Sequence, residues 1–323
     1  MTRLILVPQL PIAMRYQEWF AEEIEDHLSS YFDSIIVLGD KRLNNPVNLI
    51  SGSSFSSTEH ALKFEQEQMR QYLDMKLEED DVLLLCDLSY PGIFSSVLMI
   101  KPAPRQYAIC HATAANRYDF WAKIRGIKYG VEKRQARLFD KIFVGSEYHK
   151  NKLKWPNIEV IGMPYPPIPR LIEIEHEVNK EKFKHRNTVL RSVARPTQQK
   201  VTLKLERRVE ELLGIPIVRE QFSTWYDYFS ALCDTQFVII TAREETYGYQ
   251  ALDAMLCGAV PIAPNALSYP ELVPSAALYD PTSIETAAFS IWDIVEELSE
   301  RPLTFTFLED TFFLKLAKGM ELV

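Results

Sequence analysis

The chain has 323 residues, of which 47% are hydrophobic and 25% charged, and carries a net charge of −8. That length has room for two domains with separate cores, and no apolar run approaches the ~20 residues that a membrane-spanning helix needs. The acidic balance excludes a chain that is basic throughout, yet the charge is uneven. Residues 123–154 hold ten Lys/Arg against three Asp/Glu and residues 180–208 hold ten against two, so these blocks contain 20 of the 36 basic residues. An anion-binding face is one reading of them, and ordinary basic helix surfaces are the other. The four cysteines (Cys86, Cys110, Cys233, Cys257) are scattered, fall mostly within apolar runs and match no metal-ligand spacing, which predicts reduced thiols in a cytoplasmic protein.

In chain order, residues 3–8 (RLILVP) read as a first strand rather than a signal peptide, because an Asp/Glu-rich helix follows directly. The intervening loop, QLPIAMRYQEW, contains no glycine. Helix 15–30 places Trp19, Phe20, Ile24 and Leu28 on one stripe, a core face. SIIVLGD (34–40) is the second strand, 41–60 is Asn/Ser-rich and loop-like, and helix 60–77 leads to the strand DVLLLCD (81–87). The turn from Asp87 to Gly92 then lies at a strand's carboxyl end. Pro91 and Gly92 are turn chemistry, while Asp87 and Ser89 are candidate acceptor contacts. The strand QYAICH ends in His111, and a long basic helix leads to LFDKIFVGSEYHKNKL.

Residues 163–187 are proline-rich and then charge-rich, which reads as an interdomain linker. A second domain opens with the strand TVLRSVAR and the turn PTQQK, which sets Arg195 and Lys200 five residues apart. GIPIV (214–218) is another strand and 223–237 an amphipathic helix. After residue 274 the chain runs through ALYDP into helix 283–299, and 307–323 is again helical. There is no fixed short repeat, Walker A motif, G-x-S-x-G elbow or HExxH motif.

Residues 237–264, FVIITAREETYGYQALDAMLCGAVPIAP, carry most of the functional information. A buried strand, Phe237 to Ile240, leads to a polar turn with Glu244, Glu245 and Gly248. A short helix over about 249–257 stops at Gly258, and a second strand follows, Ala259 to Ala263. This is one unit of a parallel α/β sheet, in which ligands sit at strand carboxyl ends and helix N-termini attract phosphate. Glu245 and Gly248 lie there, and Asp253, eight residues after Glu245, can face the same crevice. The alternative is an ordinary βαβ unit with solvated acids.

The pattern resembles the E-x7-E signature of GT-B glycosyltransferases of the retaining family 4 type. It stands here as Glu245, Tyr247, Gly248, Asp253, Ala254, Gly258 and Pro261, departing in Asp253, where that family usually has Glu. PNALSYPELVP (264–274) resembles the segment that follows the signature in tRNA-queuosine mannosyltransferases. Arg195 and Lys200 share the spacing of the family's G-R-L-x-x-x-K-G motif without its glycines, and His111, Asp140 and Ser146 stand at matching places. The resemblance implies an α/β chain of GT-B fold, with two Rossmann-like domains facing across a cleft. Residues 1–165 would form the acceptor-side domain and 186–323 the nucleotide-sugar-binding domain, with the last helix returning to the first. It implies that Arg195 and Lys200 hold the donor diphosphate, aided by backbone N–H groups at Tyr247, Gly248 and Tyr249. Glu245 would hold the donor sugar, Asp253 the ribose, and His111 the sugar near the reacting centre. It further implies configuration-retaining transfer to a hydroxyl with no obligatory metal or cofactor beyond the nucleotide-sugar. With the basic blocks, it leans to a nucleic-acid acceptor, tRNA or a modified DNA base. A lipid-linked or small-molecule acceptor, and a non-catalytic nucleic-acid-binding shell, stay open.

Overall fold

Short runs of Val, Ile and Leu bounded by polar turns recur through the chain, and the central ones become strands buried on both faces, as parallel sheets require. The computed structural model describes residues 2–39, 54–118, 124–167, 183–195, 197, 199–305 and 311–323. Most of the expected 41–60 loop and of the 163–187 linker lies outside the described residues, as do Pro196 and Gln198 of the PTQQK turn. Two compact units form, one from Met1–Pro164 with Asp310–Val323, the other from Tyr165–Glu309.

The first unit holds β1 (Arg3–Val7), β2 (Ser34–Val37), β3 (Val82–Leu85), β4 (Arg105–Ile109), β5 (Lys141–Val144) and β6 (Ile158–Val160). They make one sheet in the order β2-β1-β3-β4-β5-β6, every pair parallel. The winding reverses between β1 and β3, and that switch point opens a crevice at the strands' carboxyl ends. The expected helix 15–30 is shorter: a 3-10 turn at Tyr16–Glu18, the helix Phe20–Leu28, and a second 3-10 turn at Ser29–Tyr31. The helix expected over 60–77 spans Ser54–Asp74. The Lys101 ammonium donates to the carbonyls of Tyr72, Leu73 and Met75, satisfying the acceptors a helix end leaves open.

The terminal helix, Phe312–Gly319, belongs to this first unit. Phe312 packs 6.0 Å from Phe20, Phe313 stacks 3.8 Å from His27, and the Tyr107 hydroxyl donates to the Met320 carbonyl at 3.2 Å. Gly319 permits the approach, since a Cβ there would come within 2.4 Å of the Phe143 ring.

The second unit holds β7 (Thr188–Ser192), β8 (Ile217–Arg219), β9 (Thr235–Ile239), β10 (Val260–Pro264) and β11 (Leu278–Tyr279). Their order is β11-β10-β9-β7-β8, again all parallel, with the reversal between β7 and β9. The helix expected over 223–237 is Trp225–Cys233. Thr224 caps its start by accepting from the Asp227 N–H, and Thr235 and Gln236 join β9 instead of the helix. The helix Leu203–Leu213 was not among the expected elements, although Leu205, Val209 and Leu212 recur at helical spacing. It ends on Gly214 in the left-handed region at φ 64°.

Candidate active site

Two loops leave the sheet of the second unit at its β7/β9 switch point. One runs from β7 through Arg195 to Lys200 and the other from β9 through Glu244 to Gly248. Hydrogen bonds fix them together. The Thr202 N–H donates to the Thr241 hydroxyl at 2.9 Å, and the Thr202 hydroxyl donates to the Thr241 carbonyl at 2.8 Å. The Arg243 N–H reaches the Gln199 carbonyl at 2.9 Å. Beneath them the buried Glu206 carboxylate accepts from Ser192 of β7, Thr241 after β9 and Arg219 of β8. A buried carboxylate with three donors is satisfied and rigid.

This frame brings Lys200 to Glu245. The ammonium donates to Glu245 Oε2 at 2.6 Å, both side chains retaining 14% exposure. The N–H groups of Thr246 and Tyr247 reach Oε1 at 3.0 and 3.4 Å. Burial alone would raise the carboxyl pKa. Lys200 and the two N–H groups outweigh it and hold the group below the ordinary glutamate range. Arg195 lies on the same loop and is exposed.

Gly248 opens the helix Tyr249–Leu256 at φ 113°, a conformation that favours glycine. The Tyr269 ring packs beneath it, where an added Cβ would meet Tyr269 Cε1 at 3.2 Å. Ser268 donates to the Tyr247 carbonyl at 2.8 Å. The segment after the signature therefore supports the helix start, and the rings of Tyr247 and Tyr249 flank Gly248 with centroids 5.3 Å apart. Asp253 is 7% exposed. Its Oδ2 accepts from the Tyr228 hydroxyl at 2.8 Å, and burial pushes its carboxyl up to about 7, the Tyr228 bond offsetting part of that rise.

In the first unit, a polar cluster occupies the β1/β3 switch point. Gln9, just past β1, donates from Nε2 to Asp87 Oδ2 at 2.7 Å, and the Ser89 N–H donates to Asp87 Oδ1 at 3.1 Å. A small cavity of about 10 Å³ lies here, lined by Gln9, Phe64, Glu65, Asp87, Tyr90 and other residues. The Ser89 hydroxyl is buried and donates to Glu132 at 2.7 Å, so it braces the frame. His111 follows β4. Its Nε2 meets the Cys86 carbonyl at 2.9 Å and therefore carries the proton. The rings of Tyr16 and Phe20 enclose the imidazole at 4.6 and 5.2 Å. The glycine-free loop after β1 thus supplies Gln9 and Tyr16, which no sequence motif singled out.

Burial lowers the pKa of His111 to about 3, and that of His149, within electrostatic reach of it, to about 3. Both imidazoles are neutral at pH 7. The unfolded chain, with histidine near 6.5, takes up protons that the fold does not. Their contribution is fully present above pH about 6.5 and falls as pH drops below it. The urea midpoint should decline from pH 7 to pH 5, the two histidines outweighing the opposite effect of the raised Asp253 carboxyl, and His111 ring resonances should stay constant over that range. An imidazole titrating near 6.5 would contradict this assignment.

The fold and its site can now be set beside known proteins. HepE of Anabaena, in complex with UDP and glucose, superposes with a TM-score of 0.62 at 12% identity, covering 100% of both chains. The lipopolysaccharide outer core galactosyltransferase WaaB, in its apo form, superposes at 0.60 with 14% identity over 99% of each chain. The fold is GT-B, and neighbours that share it are glycosyltransferases. No protein-family profile matches the chain. In sequence, a tRNA-queuosine alpha-mannosyltransferase of Drosophila melanogaster is 37% identical over 78 residues, which is 24% of this chain and 21% of that protein. The match thus spans about a fifth of that relative's length.

Proposed function

We propose that the chain transfers a sugar from a nucleotide-sugar donor to an acceptor hydroxyl. The observation that carries this reading is the Lys200–Glu245 pair at a switch point, beside the N-terminus of the helix Tyr249–Leu256. Cations and helix N–H groups suit a diphosphate, and a carboxylate suits the hydroxyls of a sugar. In this reading the C1–O bond to the diphosphate breaks, the acceptor oxygen bonds C1 on the same face, and the acceptor proton passes to a diphosphate oxygen. Configuration is retained. Arg195 and Lys200 stabilise the negative charge that develops on the leaving group, the role a divalent ion fills in metal-dependent enzymes. Asp253 holds the ribose. Within the first unit, His111 is assigned to the sugar, as in the resembled family, and the Asp87–Gln9 pair to the acceptor. Neutral His111 is suited to polar contacts without adding charge.

The partial match to a tRNA mannosyltransferase, with the two basic blocks, favours a nucleic-acid acceptor. Among the described residues no helix is long and apolar enough to cross a membrane. The four cysteines form no disulfide, and reduced thiols suit the cytoplasm. The test is a thermal-shift panel of UDP-, GDP-, ADP- and dTDP-sugars, repeated with Glu245→Ala. A ligand at a hundredfold excess over Kd adds about 2.7 kcal/mol of stability. One nucleotide should give a shift that the variant loses, after which transfer to tRNA and to modified DNA is assayed. A panel with no shift would sink the reading.

A further inference from the structure

We infer that Tyr228 is the residue that positions Asp253 for the nucleotide, fixing one carboxylate oxygen and leaving the other for the ribose hydroxyls. This deepens, and rests on, the nucleotide-sugar reading above. Tyr228 lies in the helix Trp225–Cys233 and Asp253 in the helix Tyr249–Leu256, so the bond joins two different elements of the second unit. The phenol donates to Oδ2 at 2.8 Å, whereas Oδ1 accepts no hydrogen bond among the described residues.

That second oxygen is not sealed in the interior: it stays open to solvent, and so to a ligand. The side chain is also one methylene shorter than the Glu of the resembled signature, so it has less reach and depends more on being held in place. Tyr228 is itself held: its ring sits 5.6 Å from Phe222, 5.8 Å from Trp225 and 5.1 Å from Phe229. Packing on three sides locks the phenol's direction. The hydroxyl can therefore aim Asp253 without any contact of its own with the nucleotide.

The arrangement makes nucleotide binding depend on pH. A ribose diol donates best to the ionised carboxylate. Burial pushes Asp253 up to about 7, and the Tyr228 bond restrains that rise. Other titratable groups near the pair are Cys257 in the same helix as Asp253 and, beyond it, Cys233. Arg186, whose Nη2 donates to the Cys257 carbonyl at 3.0 Å, adds a positive charge near both thiols. The Cys233 thiol is lowered by its hydrogen bond with Cys257, so it needs its own control.

The experiment is titration calorimetry of the full chain between pH 5.5 and 8.5, with UDP-glucose and GDP-mannose as probes. Their diphosphates are diesters and do not titrate in this range. The wild type, Tyr228→Phe, Asp253→Asn and Cys233→Ser are compared. Wild-type affinity should fall on acidification through pH about 7, with proton release on binding seen by comparing two buffers. Tyr228→Phe should bind about tenfold more weakly at pH 7, regain affinity toward pH 8.5 and shift the midpoint upward. Asp253→Asn should bind weakly with no such dependence, and Cys233→Ser should keep the wild-type profile. A Tyr228→Phe profile superimposable on the wild type would overturn this assignment while leaving the donor reading intact. A midpoint that moves with Cys233→Ser would overturn it too. Wild-type protein that binds neither probe, nor any nucleotide-sugar of the thermal-shift panel, would overturn both.

Discussion

Lys200→Met should destabilise the second unit by about 3 kcal/mol at pH 7, because it leaves Glu245 charged in a partly buried site without its cation. In the wild type the Glu245 carboxyl lies below the ordinary range, so its contribution is present above the unfolded value near 4.5 and is lost as pH falls through the folded one. In the variant the balance reverses. Burial then dominates, and the carboxyl rises above its unfolded value. The destabilisation should therefore shrink as pH is lowered from 7 toward 5 and Glu245 takes up a proton. Urea melts of the wild type and the variant at several pH values measure this directly. The double variant Lys200→Met/Glu245→Gln should recover most of the stability and none of the transferase activity, which separates the pair's structural role from its chemical one. A single-variant loss below about 1 kcal/mol, the range of exposed pairs, would show the pair to be solvated.

Arg195→Ala should behave oppositely, with little change in stability and a large loss of turnover. The residue is exposed, and the contacts of exposed charges contribute little to stability. If its guanidinium meets charge that develops on the departing diphosphate, its removal costs about 2–4 kcal/mol of transition-state stabilisation, or roughly 30- to 1000-fold in kcat. Steady-state kinetics with the donor chosen by the panel, beside a urea melt, test both halves of the claim. A loss under about threefold would remove Arg195 from the leaving-group site and place that duty on Lys200 and the helix N-terminus alone.

The signature segment was legible because its physics is local. An apolar run, a polar turn, a glycine at positive φ and a second apolar run define strand, loop, helix and strand without help from elsewhere. The same holds for β1, β3 and β7. Edges were less legible. Ile158–Val160 joins the first sheet as a three-residue edge strand with half-buried side chains, too short for its alternation to stand out. Helix limits moved where tertiary contacts intervened, as when Lys101 satisfied the carbonyls at the end of Ser54–Asp74, or when Thr235 was drawn into β9.

The candidate site divides in the same way. Glu245, Gly248 and the Arg195/Lys200 spacing announce themselves in the sequence, because phosphate and sugar chemistry demands those residue types near a strand end. Tyr228 and Gln9 carry no such mark. A tyrosine in an amphipathic helix reads as core, and a glutamine in a loop reads as solvent. Only the winding of each sheet, which reverses at β1/β3 and at β7/β9, sets Gln9 against Asp87 and gathers the Lys200 and Glu245 loops. Only the packing of two helices sets Tyr228 against Asp253. By itself the sequence determined the α/β class, the strand–loop–helix unit and the kinds of side chain offered to a ligand, since these follow from periodicity and residue chemistry. The tertiary structure decided which of those side chains meet and how burial shifts their charges, since both depend on neighbours distant in the chain.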